Sequence, residues 1–369
     1  MLIFMVSAFT IYSAMHIYAF SKLWPTMPHT LWPGIALTFA GLVLSLSPFI
    51  LWHISRQDWH SATLIISWLT YLWMGFLFLF CCIALALDLT HLLATLINVK
   101  WPLNPATGLI GITFTALSLS GYGYFSAKQI QIEEVTITTP KLASGKVTIA
   151  QISDLHLGMM LGDEFLERVI GKLQGLQPDI IVATGDIVDG QGDDFNLLAN
   201  RFRTLQAPGG LYAITGNHEY FVGLDHSLNF LRKAGFTVLR GEAASAGSIT
   251  LAGVDDPTAQ ARGQQARLDA RAALAAAVAK NNYIVLLKHQ PVVDTDTPFD
   301  LQLSGHIHGG QIFPFGLLPW LTYGVHSGLT RLDNDRLLYV SRGTGTWGPP
   351  VRLFASPEIT LITIQSENP

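Results

Sequence analysis

Charge is spread so unevenly along this chain that it sets the first division of the fold. Within residues 1–127 only Lys22, Arg56, Asp58, Asp88 and Lys100 are charged, although the chain carries 22 basic and 26 acidic side chains. A soluble surface would need several times that number, since soluble domains are about 25% charged. Residues 1–127 therefore read as a membrane region and residues 128–369 as a soluble domain. Four apolar runs, 1–20, 31–52, 64–87 and 106–127, approach or exceed the roughly 20 residues that cross a bilayer as a helix. Trp24, Trp32, Trp52, Trp59 and Trp101 lie at their ends, where indole rings anchor a span at the interface. The fourth run is rich in Gly, Ser and Thr, which suits close helix contact inside a bundle.

Inside these runs the ionisable side chains, tyrosines aside, are His16 and the adjacent Cys81 and Cys82. That is too little for an ion path or proton relay, and His16 reads as a helix-packing partner. Neighbouring cysteines on one helix cannot supply a disulfide framework. Residues 1–20 lack the basic start and cleavage site of a signal peptide. Four crossings would leave the N-terminus and the soluble domain on one side. That side would carry Arg56, Lys128 and Lys141, against Lys22 and Lys100 opposite, an excess that places the domain on the cytoplasmic face of the inner membrane. A net charge of −4 with no basic stripe points away from nucleic acid and leaves the lipid bilayer as the expected partner.

From Gln131 the pattern changes to short strands alternating with amphipathic helices. Strands are expected over 135–138, 146–152, 179–183, 211–214, 249–254, 283–287, 301–304 and 358–364. Helices are expected over 163–176, 193–205, 224–233 and 264–280. The helix over 163–176 rests on Phe165, Leu166, Val169, Ile170 and Leu173 at helical spacing. Such alternation argues for an α/β layered domain.

The chemistry sits where the strands stop. Ile152 leads into Asp154-Leu155-His156, Ala183 into Gly185-Asp186-Ile187-Val188-Asp189, and Ile214 into Gly216-Asn217-His218-Glu219. Leu287 leads into His289, and Leu303 into Gly305-His306-Ile307-His308-Gly309-Gly310. Strand ends along one edge of an α/β sheet are where ligands collect. Singly, Asp154 and Asp186 could be helix caps, Asn217 a turn former and His289 a satisfied core histidine. Together they would be five unrelated coincidences, and carboxylates and imidazoles gathered on apolar strands call for a compensating cation.

These clusters, in this order, resemble the calcineurin-like metallophosphoesterase superfamily, whose pattern is DxH, GDxxD, GNH(D/E), a lone His and then GHxH. The resemblance runs from about residue 146 to 364, and the stretches KHQP, GHIHGGQ and SRGTGTWGPPVRLFASPEI look like a bacterial, membrane-attached branch. It implies a four-layer αββα sandwich and two divalent metal ions bridged by Asp186. One ion would take Asp154, His156, Asp186 and His308, and the other Asp186, Asn217, His289 and His306. Mixed carboxylate, amide and imidazole ligands suit manganese, iron or zinc better than an all-oxygen cage would; ligand type does not choose among them, and manganese is the first expectation, with iron, zinc and magnesium as alternatives. The resemblance gives His218 the task of protonating the leaving oxygen and Asp189 that of orienting its ring.

The reaction implied is hydrolysis of a phosphodiester or pyrophosphate bond. Some relatives in the wider superfamily act on UDP-2,3-diacylglucosamine, and a membrane-confined enzyme gains most from such a lipid-linked phosphate ester. Arg342 and Arg352 flank the Gly-rich residues 343–348 and are candidate phosphate contacts, with pairing to surface carboxylates the alternative. Phe313, Phe315, Leu317, Leu318, Trp320 and Leu321 form an uncharged run after the metal loop, either core or a surface laid along lipid. A non-catalytic membrane sensor with a phosphoesterase-like domain is the rival function, disfavoured by the complete ligand set. A transporter is disfavoured by the apolar spans.

Overall fold

The computed structural model describes residues 2–28, 30–57, 59–190 and 195–367. It divides into two compact units, one built from the four N-terminal helices and the other carrying the sheets. The helices are α1 (Leu2–Leu23), α2 (Leu31–Ile54), α3 (His60–Leu96) and α4 (Pro105–Ala127). Their small and polar residues are buried: Thr63, Ser67, Thr70 and Gly75 in α3, and Gly108, Ala116 and Gly123 in α4. Many of their large apolar residues, such as Ile17, Phe39, Leu69 and Phe114, face outward, although Leu77, Leu79 and Phe80 of α3 are buried. His16 is a satisfied packing residue, accepting from Trp73 Nε1 at 2.9 Å and donating to the Tyr12 carbonyl at 2.8 Å.

Among the described residues two helices, α2 and α3, are long and apolar enough to cross a bilayer. By that measure the four expected crossings become two. Ser7, Thr10, Tyr12, Ser13 and His16 dilute α1, and Thr107, Thr113, Thr115, Ser118 and Ser120 dilute α4. Helix α3 also runs beyond residue 87, so Asp88 lies within it, paired with Lys22 of α1 and accepting from the Tyr18 hydroxyl at 2.7 Å.

The second unit contains β1 (Gln131–Thr139), β2 (Lys146–Ile152), β3 (Ile180–Ala183), β4 (Leu211–Ala213), β5 (Thr237–Val238), β6 (Glu242–Ala246), β7 (Ile249–Gly253), β8 (Tyr283–Leu287), β9 (Leu301–Ser304), β10 (Gly328–Arg331), β11 (Leu337–Val340) and β12 (Glu358–Ser366). Between them run α5 (Asp163–Leu176), α6 (Phe195–Phe202), α7 (Asn217–Val222), α8 (Leu224–Lys233), α9 (Thr258–Ala261), α10 (Arg271–Ala279) and α11 (Leu317–Tyr323). The strands form two six-stranded sheets, ordered β1-β12-β2-β3-β4-β5 and β10-β11-β9-β8-β7-β6.

Strand periodicity of two builds the layers. In β3, Ile180 and Val182 enter a cluster shared by both sheets, while Ile181 and Ala183 pack under α5, α6 and α8. In β8, Tyr283, Val285 and Leu287 join the shared cluster, and Ile284 and Leu286 meet Leu274 and Ala277 of α10. Fully buried positions such as Val285 and Leu287 contribute about 1.5–3 kcal/mol each from apolar burial. The result is helix on sheet on sheet on helix. Because β2, β3 and β4 are mutually parallel, as are β7, β8 and β9, the carboxyl ends of each set open on one edge.

Several elements depart from the sequence reading. The helix expected over 264–280 forms only as α10. Asp255 accepts from Arg267 N at 2.9 Å and Asp269 from Arg271 N at 2.8 Å, which holds residues 264–270 as an extended connection. Of the helix expected over 193–205, Phe195–Phe202 is helical and residues 193–194 lie outside the described residues. Sequence reasoning missed β5, β6, β10, β11, α7 and α11, all seven residues or shorter.

Candidate metal centre

The five polar clusters meet because the loops that carry them keep pairing after the strands end. Asp154 N donates to the Gly185 carbonyl and His156 N to the Asp186 carbonyl, both at 3.0 Å, and Gly305 N donates to the His289 carbonyl at 2.9 Å. The backbone at Asp154, His156, Asp186, His306 and His308 lies in the left-handed region, with φ of 50° to 72°. That conformation is uncommon for non-glycine residues and, when surrounding structure enforces it, marks a functional site. Two glycines admit the close approach. A Cβ at Gly216 would collide with Asp186 Oδ1, and one at Gly305 with Ser153 Oγ and Asp154 Oδ2.

Among the described residues three groups of ligand atoms converge, one of them His156, Asp189 and His218, and the other two hold the expected ligands. In the first of these two, His156 Nε2 and His308 Nε2 stand 3.1 Å apart, and His308 Nε2 is 3.5 Å from Asp154 Oδ1. In the second, His289 Nε2 is 3.2 Å from both Asp186 Oδ2 and His306 Nδ1. Asp186 lies between them, its Oδ2 also 4.0 Å from His156 Nε2. Asn217 sits beside this carboxylate, and its Oδ1, buried, has no hydrogen-bond partner. Converging imidazole nitrogens and carboxylate oxygens, with an orphaned amide oxygen nearby, fit cation binding. Each of the two groups, Asp154 with His156 and His308 and Asp186 with His289 and His306, could hold an ion.

Neighbouring groups orient the donors. His289 Nδ1 donates to the Thr184 carbonyl at 2.7 Å, which fixes the ring with Nε2 facing Asp186 and His306. Burial alone would lower the His289 pKa, but the Asp186 charge raises it well above the usual value. His308 moves the other way, lowered by burial and by the positive neighbours His156 and Arg352, which keeps it in the neutral form that binds metal. Asp186 is held well below the usual carboxylate range, because the charges of His289 and His218 overcome its burial.

His218 Nδ1 lies 2.9 Å from Asp189 Oδ1, and Asp189 Oδ2 is 3.4 Å from His156 Nδ1. Burial opposes charge on His218, yet Asp186 and Asp189 raise its pKa to about 9. The ring sits among aromatic side chains, 5.2 Å from Phe221 and 5.9 Å from Trp347 between centroids.

The two arginines lie elsewhere. Arg352 is fully buried, and its guanidinium donates to the carbonyls of Gly345, His308, Arg342, Ala355 and Gly343. Arg342 pairs with Glu133 at 2.9 Å and Glu358 at 2.6 Å. Their donors go to carbonyls and carboxylates of the protein, so Arg352 acts as a clamp on the metal loop and Arg342 as an ion-pair partner. The guanidinium nitrogens of Arg352 are thus all engaged within the protein, while the phosphate contact expected of Arg342 stands beside its ion pairs as a proposal. Glu219 is the residue that sequence reasoning missed. Fully buried, it accepts from the N–H groups of Asp186, Ile187, Val188 and Gly216, tying the second cluster to the third. Its position three residues past a glycine that opens a helix is a capping signal visible in the sequence.

Residues 147–310 match the family described as calcineurin-like phosphoesterase. An uncharacterised metallophosphoesterase of Aquifex aeolicus is 39% identical over 69% of this chain and 99% of its own length. A second, from Campylobacter jejuni, is 34% identical over 65% of this chain and 64% of its own. A Danio rerio protein described as a transmembrane protein with a metallophosphoesterase domain is 31% identical, covering 70% of this chain and 62% of its own. With two ligand groups assembled at the strand ends and relatives of this identity, the chain belongs to the calcineurin-like metallophosphoesterases.

Proposed function

We propose that this protein is a membrane-anchored phosphoesterase that uses two divalent cations, manganese first among them, to hydrolyse a phosphodiester or pyrophosphate bond of a lipid-linked substrate. The observation that carries the two-metal reading is the position of Asp186 between the Asp154–His156–His308 and His289–His306 groups. The four helices support anchorage. Large apolar side chains of all four face outward, including Ile17 of α1 and Phe114 of α4, while small and hydroxyl residues pack inside, the distribution expected where the solvent is lipid. Four crossings, with the catalytic unit on the cytoplasmic side of the inner membrane, accommodate this distribution and the basic residues Arg56, Lys128 and Lys141.

When bound, divalent cations supply Lewis-acid stabilisation of charge on the phosphoryl group. Asp154, His156 and His308 would hold one, His289, His306 and Asn217 the other, with Asp186 shared. Asp186 and Asp189 raise the His218 pKa against the effect of burial, and Asp189, which holds no metal in this scheme, continues to favour the charged ring when cations are bound. Asp189 fixes its Nδ1 and leaves Nε2 free to donate to the departing oxygen. Phe221 and Trp347 pack edge-on against the ring and help hold its orientation.

The test is hydrolysis of bis(p-nitrophenyl) phosphate by the manganese-loaded full chain. His218→Ala should lose about 10²- to 10⁴-fold in rate, the usual contribution of a positioned general acid, with metal content kept. Full activity in a metal-loaded His218→Ala protein would contradict the acid assignment. Absence of hydrolysis by the metal-loaded wild type would favour a sensor.

A further inference from the structure

The uncharged run that follows the metal loop is not core. Helix α11 buries none of its residues, and Phe313, Phe315, Leu317, Leu318, Trp320 and Leu321 are all exposed, Leu321 by 72%. Beside them stands Phe354, 79% exposed and held at φ 60°, a left-handed conformation that a bulky residue rarely adopts. The rings of Phe313 and Phe354 are 5.8 Å apart. Contiguous exposed apolar surface of this kind marks an interaction site.

The projection is rigid. Leu353 N donates to the Gln311 carbonyl at 2.8 Å and Phe313 N to the Leu353 carbonyl at 3.2 Å, so the two loops form a short ladder. Arg352 lies under both, bonded to the carbonyls of His308 and Ala355. The projection is also joined to the metal centre at each end. It begins directly after the His308–Gly310 turn. It ends on Tyr323, whose ring is 5.7 Å from that of His306 and whose hydroxyl reaches Gln290 Oε1 at 3.5 Å.

We propose that residues 313–321 and Phe354 insert into the bilayer interface and set the metal centre at headgroup level, so that the enzyme acts on phosphate esters carried by lipids. This rests on the membrane anchorage proposed above. Three observations favour a bilayer as the occupant. Residues 311–325 contain no charge, and the rings of Trp320 and Tyr323 are of the kind that sits at a lipid–water boundary. The opening N–H groups of α11, at Leu317, Leu318 and Trp320, donate to the carbonyls of Pro314, Phe315 and Gly316, which lowers the cost of carrying that end into lipid. Only Lys128, Gln129 and Ile130 separate α4 from β1, a leash of about 10–14 Å at full extension. That leash keeps the domain at the surface of whatever membrane α4 enters.

The test uses the full chain in nanodiscs, one copy per disc, with Cys81 and Cys82 replaced by alanine. An environment-sensitive fluorophore is placed at Leu321→Cys and, as a control, at Arg331→Cys, an exposed strand position. The expected result is blue-shifted emission at 321, quenched several-fold more by acyl-brominated lipid than at 331. Equal quenching at the two positions would overturn the proposal. So would shielding of 321 that appears only with two copies per disc, since the surface would then join copies of the chain. Neither readout requires turnover, so failure here is separate from failure of the hydrolase reading. In the same discs, Leu317→Asp/Leu321→Asp should lower the ratio of lipid-borne to water-soluble phosphodiester hydrolysis several-fold; an unchanged ratio would sink the substrate half.

Discussion

In the helical unit Ile17 and Phe114 point outward while Thr70 and Gly75 are buried; in the sandwich Ile149 and Val285 are buried. On the anchorage proposed above, each unit hides what its surroundings reject, and the two arrangements match two solvents. Lipid accepts large apolar side chains and favours small residues where helices meet, whereas water drives the same apolar side chains between sheets. Two of the sandwich's departures from that rule lie side by side. It buries the charge of Arg352, and it exposes the Phe313–Leu321 run with Phe354. The buried cation holds the exposed surface in place.

Replacing the buried cation probes the first exception and should have the largest effect. Arg352→Met leaves the carbonyls of Gly345, Arg342 and Ala355 without a donor, while those of His308 and Gly343 keep the N–H groups of Gln311 and Glu358. Each unsatisfied buried group costs about 1–3 kcal/mol. Thermal unfolding of the catalytic unit should therefore drop strongly, with loss of metal at His308. A melting temperature within a degree or so of wild type would show that water replaces the guanidinium freely.

Next is the outward face of α4. Phe114→Lys puts a charge where the account places hydrocarbon, at a cost of about 2.5–3.5 kcal/mol in mid-bilayer. A glycosylation-mapped insertion assay should show reduced spanning by α4. Unchanged insertion would mean that α4 lies outside the membrane. The smallest effect belongs to the solvated face of the sandwich. Glu164→Ala removes the exposed pair with Arg168 at 2.7 Å, worth about 0.3–0.5 kcal/mol for such helix pairs. A larger change on chemical denaturation would mean that this face is less solvated than its exposure indicates.

Much of the site was legible because each ligand follows a buried strand. The runs KVTIAQI and YIVLL announce both the strand and the place where it stops, and the polar residue beyond has nowhere to go but the edge. What stayed hidden depends on contacts between distant segments. Nothing local to Arg352 says that the loops of His308 and Ala355 will close around it, so its charge invited a phosphate. Residues 264–270 carry helix-forming alanine and arginine, but the carboxylate of Asp255 captures the Arg267 amide first. Strand β11, four residues long, is too short for periodicity to separate strand from helix. For the run 313–321, sequence alone left core and surface equally open, since both are apolar.

The central claim is that Asp186 joins two cation sites, and metal counting on the purified full chain tests it most directly. The account predicts two equivalents in the wild type. One site should be emptied or weakened in His306→Ala and the other in His308→Ala, and both in Asp186→Asn. A single equivalent in the wild type, or His306→Ala and His308→Ala each losing all bound metal, would contradict the two-site account.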